Sequence, residues 1–308
     1  MKMFEQFPVG ALDSIGRPLT EAMYRQRPAW TVASISDYDA CFFAGLAMTT
    51  KPKKIVEVGV ASGWGSVILL KALAQAGVRN PEYFGVDISS RFFCDASYAT
   101  GQAVREVVPD LAPCYQLLTG RSIAEVAPDI GGGIEFGFID AHHMHPWATL
   151  DLLSLLPFLA TQSWVALHDV NLCRKEDQEH CNRGPKYLFD AWDHDKLHSV
   201  QVPTMAGAIR VGSNPEEHLS LLLDILYTPW EMPVEERFTT PIIDLLLRYY
   251  GPEWGSKFRR AVEVGNYRAS KMHSRDVGVL MAEIERLRGS VPLRISRFIA
   301  RLSQRRGG

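Results

Sequence analysis

Lys54-Ile55-Val56-Glu57-Val58-Gly59-Val60-Ala61-Ser62-Gly63-Trp64-Gly65-Ser66 is the stretch that decides the fold. Ile55 to Val58 is a short apolar run rich in β-branched residues. Glycines interrupt it, and an apolar segment then resumes from Val67 to Leu73 and stops at Gly77. That order reads as strand, tight turn, helix. Gly59 and Gly63 permit a turn that side chains would block, and the helix aims its free N–H groups at whatever occupies the turn. Such a turn suits a nucleotide-like ligand; an ordinary strand–turn–helix is the plain alternative. The spacing is G-x-x-x-G-x-G, not the G-x-G-x-x-G of dinucleotide sites, and no lysine makes it a phosphate loop. Glu57, just before the first glycine, has little use beside a phosphate. Beside an ammonium or sulfonium it has one.

The 308 residues are 46% hydrophobic and 22% charged, which suits one large globular domain and a smaller one. Lys plus Arg number 33 and Asp plus Glu 35, a net charge of -2, so nothing global asks for nucleic acid. Five scattered cysteines point to a reduced, cytoplasmic protein. Met1 to Gly10 lacks the basic-then-apolar order of a signal peptide, and no apolar run is long enough to span a bilayer.

Outward from the glycine turn, residues 1–35 read as an arm of loops and short helix. Ser36, with Asp39 three residues on, reads as the cap of a helix carrying Phe42, Phe43, Leu46 and Ala47. Tyr83 to Asp87 reads as a second strand. A carboxylate at its end can accept both ribose hydroxyls, which makes Asp87 a nucleoside ligand or a helix cap. A helix is expected over Phe92 to Val108, then a third strand near Cys114 to Leu118. Ile134 to Asp140 reads as a fourth strand, running into Ala141-His142-His143-Met144-His145, with Pro146 opening the next helix. Trp164 to Leu167 reads as the fifth, ending in His168-Asp169. Glu57, Asp87, Asp140 and Asp169 thus share the carboxyl edge of an open parallel sheet, where ligands bind.

The glycine turn with Glu57 resembles the first motif of class I S-adenosylmethionine (SAM) dependent methyltransferases, in which an acidic residue and glycines hold the amino-acid end of SAM. Ile139-Asp140-Ala141-His142-His143, followed by Leu167-His168-Asp169, is similar to the branch that includes macrocin-type sugar O-methyltransferases and cephalosporin hydroxylase-like proteins. The resemblance covers residues 36–212. It departs at Ala141, where that pattern has glycine, and at Ala160-Thr161-Gln162-Ser163, where it has Pro-Gly-Gly. It implies a Rossmann-like α/β sheet, mostly parallel with an antiparallel closing pair at Leu197–Val202 and Ala206–Val211. It also implies SAM held by Glu57, Gly59, Ala61, Gly63, Asp87, Ser122 and Asp140. Ser122 fits the adenine loop of the family, whereas Arg121 stands where that loop often has an acid.

The chemistry follows from residue types. A sugar hydroxyl must lose its proton as the methyl group transfers, and His143 is the candidate base. Asp140 and Asp169 end neighbouring strands and can share a hard cation such as Mg²⁺. His168 orients those ligands or the substrate, and His142 and His145 read as surface residues. The acceptor is a small molecule, a sugar or polysaccharide precursor under the resemblance. Residues 171–195 read as a polar substrate loop or a solvated segment; Cys173, His180 and Cys181 lack the paired Cys-x-x-Cys of a zinc site. Residues 1–212 then form the transfer domain, and 213–308 a helical C-terminal extension. Its aromatics, Trp230, Tyr249, Trp254 and Phe258 among them, are core, a homo-oligomer contact or a sugar-stacking surface. Val277 to Arg306 reads as basic amphipathic helix, packed on its own domain or resting on an anionic membrane or a partner. Two other readings stay open: an NAD-type oxidoreductase on a similar sheet, and a non-catalytic nucleotide-binding scaffold.

Overall fold

The computed structural model describes residues 10–175, 181–202, 204–214 and 216–271. Alternation along the strands builds three layers, because successive side chains of a strand face opposite ways. Ile55 of β1 (Lys54–Val58), Phe136 and Phe138 of β4 (Ile134–Ile139) and Trp164 and Ala166 of β5 (Leu159–Leu167) face one apolar core. Val56, Val58, Ile134, Ile139, Val165 and Leu167 face the other. With β2 (Glu82–Asp87), β3 (Tyr115–Thr119), β6 (Lys196–His198) and β7 (Gly207–Arg210), they form a seven-stranded sheet in the order β3-β2-β1-β4-β5-β7-β6. β1 to β5 are parallel, and β7 runs antiparallel to both β5 and β6. This is the expected Rossmann-like sheet with its antiparallel closing strand.

One face is covered by α1 (Ala11–Tyr24), α2 (Asp37–Thr50), α3 (Trp64–Gln75) and α4 (Gln102–Val107). The other carries α5 (Ile123–Ile130), α6 (Trp147–Leu155), α7 (Gly184–Ala191), α8 (Glu217–Leu226), α9 (Glu236–Tyr250) and a helix over 252–271, α10. Leu222, Trp230, Leu246 and Phe258 of the C-terminal segment join the same core as the strands. No helix among the described residues is long and apolar enough to cross a membrane.

Several boundaries differ from expectation. The helix expected over 92–108 is short, beginning at Gln102. Before it, Asp95 accepts from the Ser97 N–H and hydroxyl at 2.9 and 2.7 Å, Ser89 accepts from the Arg91 N–H at 3.1 Å, and Gly101 is left-handed. Polar side chains that bond the local backbone in this way favour turns over helix. The arm holds a full 14-residue helix, α1, whose Leu12, Leu19 and Met23 are buried against α2. β5 starts at Leu159, five residues earlier than read, and Pro146 is the cap of α6 rather than its first residue. The segment Val277 to Arg306 lies outside the described residues, as does His180 of the zinc reading.

Candidate active site

β1 delivers its chain end to the turn, and Gly59 is the residue that lets it arrive. Its φ is +88°, and a Cβ there would sit 2.3 Å from the Asp140 carbonyl oxygen. Only glycine allows the turn and the end of β4 to lie this close. Gly63 is also left-handed and caps α3, with no side-chain bond to the cap. Between them Ala61 adopts φ 49°. Asp87, at the end of β2, fixes the turn: one carboxylate oxygen accepts the Val60 and Ala61 N–H groups at 3.0 and 3.1 Å, and the other accepts from Ser89 N–H at 2.8 Å. A carboxylate has about four acceptor positions, so Asp87 keeps capacity for hydroxyl donors.

Glu57 lies beneath the turn and is fully buried. It accepts the hydroxyls of Ser66 and Tyr83, the latter at 2.9 Å. Burial pushes its carboxyl up to about 8 against the opposing pull of those two bonds, so near neutrality the group is mostly protonated. Ser122 stands half-buried at the start of α5, where its N–H and hydroxyl both donate to Glu125, at 2.7 and 2.8 Å. Ser122-x-x-Glu125 is a capping-box spacing, a signal present in the sequence that the adenine reading passed over.

Beyond β4 and β5, whose ends pair Ile139 with Leu167, four expected residues converge. Donor atoms of Asp140, His143, His168 and Asp169 all lie within 4.8 Å of one another. His168 Nδ1 is 2.9 Å from Asp140 Oδ1 and 3.4 Å from Asp169 Oδ2. His143 Nε2 is 3.1 Å from Asp169 and 3.5 Å from Asp140, within ion-pair reach but with no aligned hydrogen bond. Burial alone would push the Asp140 carboxyl up, but the His168 charge and hydrogen bond, with His143 close by, outweigh it and hold it at about 2. Burial pulls both histidines down; the carboxylates outweigh it, so His143 is raised and His168 raised well above the ordinary histidine range. His143 is therefore more protonated, with only these neighbours, than a solvated histidine.

Two residues at the site escaped the sequence. Asp39, on α2, lies 3.4 Å from His168 Nε2 and accepts the Ser36 hydroxyl at 2.6 Å. Its capping role is legible; the contact 129 residues away along the chain is not. His145 is not a surface residue as expected: it is wholly buried, and burial pulls it down to about 4. His142 is exposed, as expected, its ring tilted against Trp147 at 5.7 Å, with partial burial and the neighbouring His143 both lowering it.

Residues 56–170, from the third residue of β1 to just past Asp169, match the family described as "Methyltransferase domain". That stretch, somewhat over a third of the chain, is similar to a methyltransferase domain. The match spans the glycine turn, Asp87 and the Asp140–Asp169 cluster, and excludes α1, α2 and the C-terminal helices. No curated protein matches the chain. Among solved structures, the chain is similar to the O-methyltransferase TomG from Streptomyces achromogenes, with 14% identity over 70% of this chain and 100% of that one, TM-score 0.45. An O-methyltransferase from Bacillus cereus is 16% identical over 67% of this chain and 91% of its own, TM-score 0.44. The Podospora anserina methyltransferase PaMTH1 is 14% identical over 63% and 87%, TM-score 0.46.

Proposed function

We propose that the methyltransferase domain transfers a methyl group from SAM to a hydroxyl of a small molecule, a sugar or related metabolite. The observation that carries this reading is the meeting of His143 with Asp140 and Asp169, one backbone contact away from the glycine turn. The turn supplies the cofactor end: Gly59, Ala61 and Gly63 shape it, Asp87 accepts the ribose hydroxyls, and Glu57 supports it from below. Ser122 and Asp140 border the same edge of the sheet. The Asp140–His143–Asp169 end faces the acceptor, where His143 takes the hydroxyl proton as the methyl group leaves the sulfonium.

The donor set fits a divalent cation. Asp140 and Asp169 offer the hard carboxylate oxygens that Mg²⁺ takes, and the two imidazoles add donors that transition ions accept. When bound there, a cation would offset the carboxylate charge that protonates His143 and would acidify the acceptor hydroxyl. His168, held between Asp140 and Asp39, keeps the Asp140 carboxylate turned toward His143. Residues 1–212 act as the transfer unit and 213–308 as a helical extension that supports it.

A native mass spectrum of the purified chain tests the cofactor. Co-purified SAM or S-adenosylhomocysteine is the expected finding, and calorimetry showing NADH binding with no SAM binding would overturn it. Asp87→Ala should weaken SAM by about 1–3 kcal/mol, because the ribose hydroxyls lose their acceptor. Removal of metal with EDTA should abolish transfer, with Mg²⁺ or Mn²⁺ restoring it; full turnover in EDTA would exclude the cation.

A further inference from the structure

The turn between α8 and α9 grips the loop that carries His143. Glu231 N–H donates to the His145 carbonyl at 3.0 Å, and the Glu231 carboxylate accepts the His145 N–H at 2.5 Å. These two bonds form a reciprocal pair between residues 86 apart in the chain. The same carboxylate oxygen accepts the Arg183 N–H at 3.0 Å, and Gly184 N–H donates to the His143 carbonyl at 2.9 Å. Thr228 Oγ1 lies 2.9 Å from His145 Nε2, and Trp147 Nε1 lies 3.4 Å from the Met232 sulfur. One carboxylate thus joins the loop after β4 to the start of α7.

Residues 140–146 belong to no helix or strand, so regular structure does not set the direction of His143. The Glu231 bonds fall on backbone groups around it and leave its ring to face Asp140 and Asp169. Without Glu231, the His145 and Arg183 N–H groups would both lose their acceptor. The other oxygen of Glu231 is buried with no hydrogen-bond partner. A half-satisfied buried carboxylate is a costly way merely to fill space, since an apolar side chain would do that better.

We propose that Glu231 is a positioning residue of the active site, one that fixes the His143–Pro146 loop so that the His143 ring meets Asp140 and Asp169. The proposal assigns a role in the site to the C-terminal segment, which lies outside the matched domain. It rests on the reading of His143 as the base, while its test reads the position of the loop and needs neither substrate nor metal.

The test uses the full-length, metal-free chain labelled with [¹³C]histidine, with the His143 ring signal assigned by its loss in His143→Ala. Glu231→Ala should displace the His143 signal and broaden it at least twofold. In the same variant, amide exchange over 141–147 and 183–187 should rise at least tenfold, with β1 and α3 unchanged. Glu231→Gln keeps an oxygen that can accept both N–H groups and should restore the wild-type signal and exchange. A merely structural role would raise exchange across the whole chain, β1 and α3 included, and that result would overturn the proposal, as would a Glu231→Ala protein identical to wild type. Should Glu231→Ala not fold, Thr228→Val carries the test: faster exchange confined to 141–147 supports the clamp, and unchanged exchange overturns it. Failure of the methyltransferase reading is distinct, since it would appear as absence of SAM binding in the wild-type chain.

Discussion

Burial pushes the Glu57 carboxyl up to about 8, against 4.5 for the same group in water. The folded chain therefore keeps a proton that the unfolded chain releases between pH 4.5 and 8. Stability contributed by this group is greatest below pH 4.5 and is lost as pH rises toward 8, on the order of 5 kcal/mol across the window. Glu57→Gln removes the titration while its amide oxygen still accepts from Ser66 and Tyr83. Urea unfolding at pH 5 and pH 8 should show the wild-type chain losing stability between the two and the variant losing much less; parallel losses would refute the buried proton. His143, beside Asp140 and Asp169, is the base of the proposed transfer. His143→Ala should lower transfer by roughly 10²- to 10⁴-fold, with SAM affinity little changed, measured by S-adenosylhomocysteine release and calorimetry. An unimpaired variant would remove His143 from the role of base.

α1 and α2 cross with their backbones nearly touching. A Cβ on Gly16 would fall 1.9 Å from the Cys41 carbonyl oxygen, and one on Gly45 would fall 1.9 Å from that of Leu12. Neither obstacle is a movable side chain, so Gly45→Ala must push the helices apart, at about 1–3 kcal/mol. Thermal unfolding should shift down and amide exchange in α1 should speed up; an unshifted transition would show that the crossing has slack. This element also shows where sequence reading stops. β1, its turn and α3 were legible because β-branched runs and paired glycines are local signals, and the strand ends followed from the same patterns. That legibility extended to Asp87, Asp140, His143 and Asp169. α1 was not legible, since Pro18 and its glycines hide an apolar face that only α2 completes. The loop before α4 was lost for the opposite reason: its spacing suits a helix, but Ser89, Asp95 and Ser97 spend their side chains on turns. Asp39 reads as a finished helix cap, and nothing local announces its contact with His168. His145 and Glu231 depend on a bond between distant segments, which no periodicity encodes.

The C-terminal helices are built into the molecule's main core rather than appended to it. Trp230 is buried among α8 to α10, and a Cβ on Gly265 would meet its ring at 2.3 Å. Asn266 bonds both backbone groups of Val234, at 2.7 and 2.9 Å, pinning α10 to the turn before α9. Leu222, Leu246 and Phe258 are fully buried in the core that also holds Val165, Leu167 and the apolar side of α6. Each such side chain contributes about 1.5–3 kcal/mol by leaving water. Removing residues 213–308 would strip several at once and expose their partners on α5 and α6, a loss comparable to the roughly 5–15 kcal/mol that holds a whole domain together. A chain ending at Gly212 should therefore keep helical far-UV circular dichroism but lose its near-UV signal, bind a hydrophobic dye and unfold without a sharp transition. The full chain should unfold in one cooperative step, with the sheet and α8 to α10 melting together. A truncated chain with a sharp transition and intact SAM binding would show that residues 10–212 stand alone, and that the extension serves the active site only through the loop it holds.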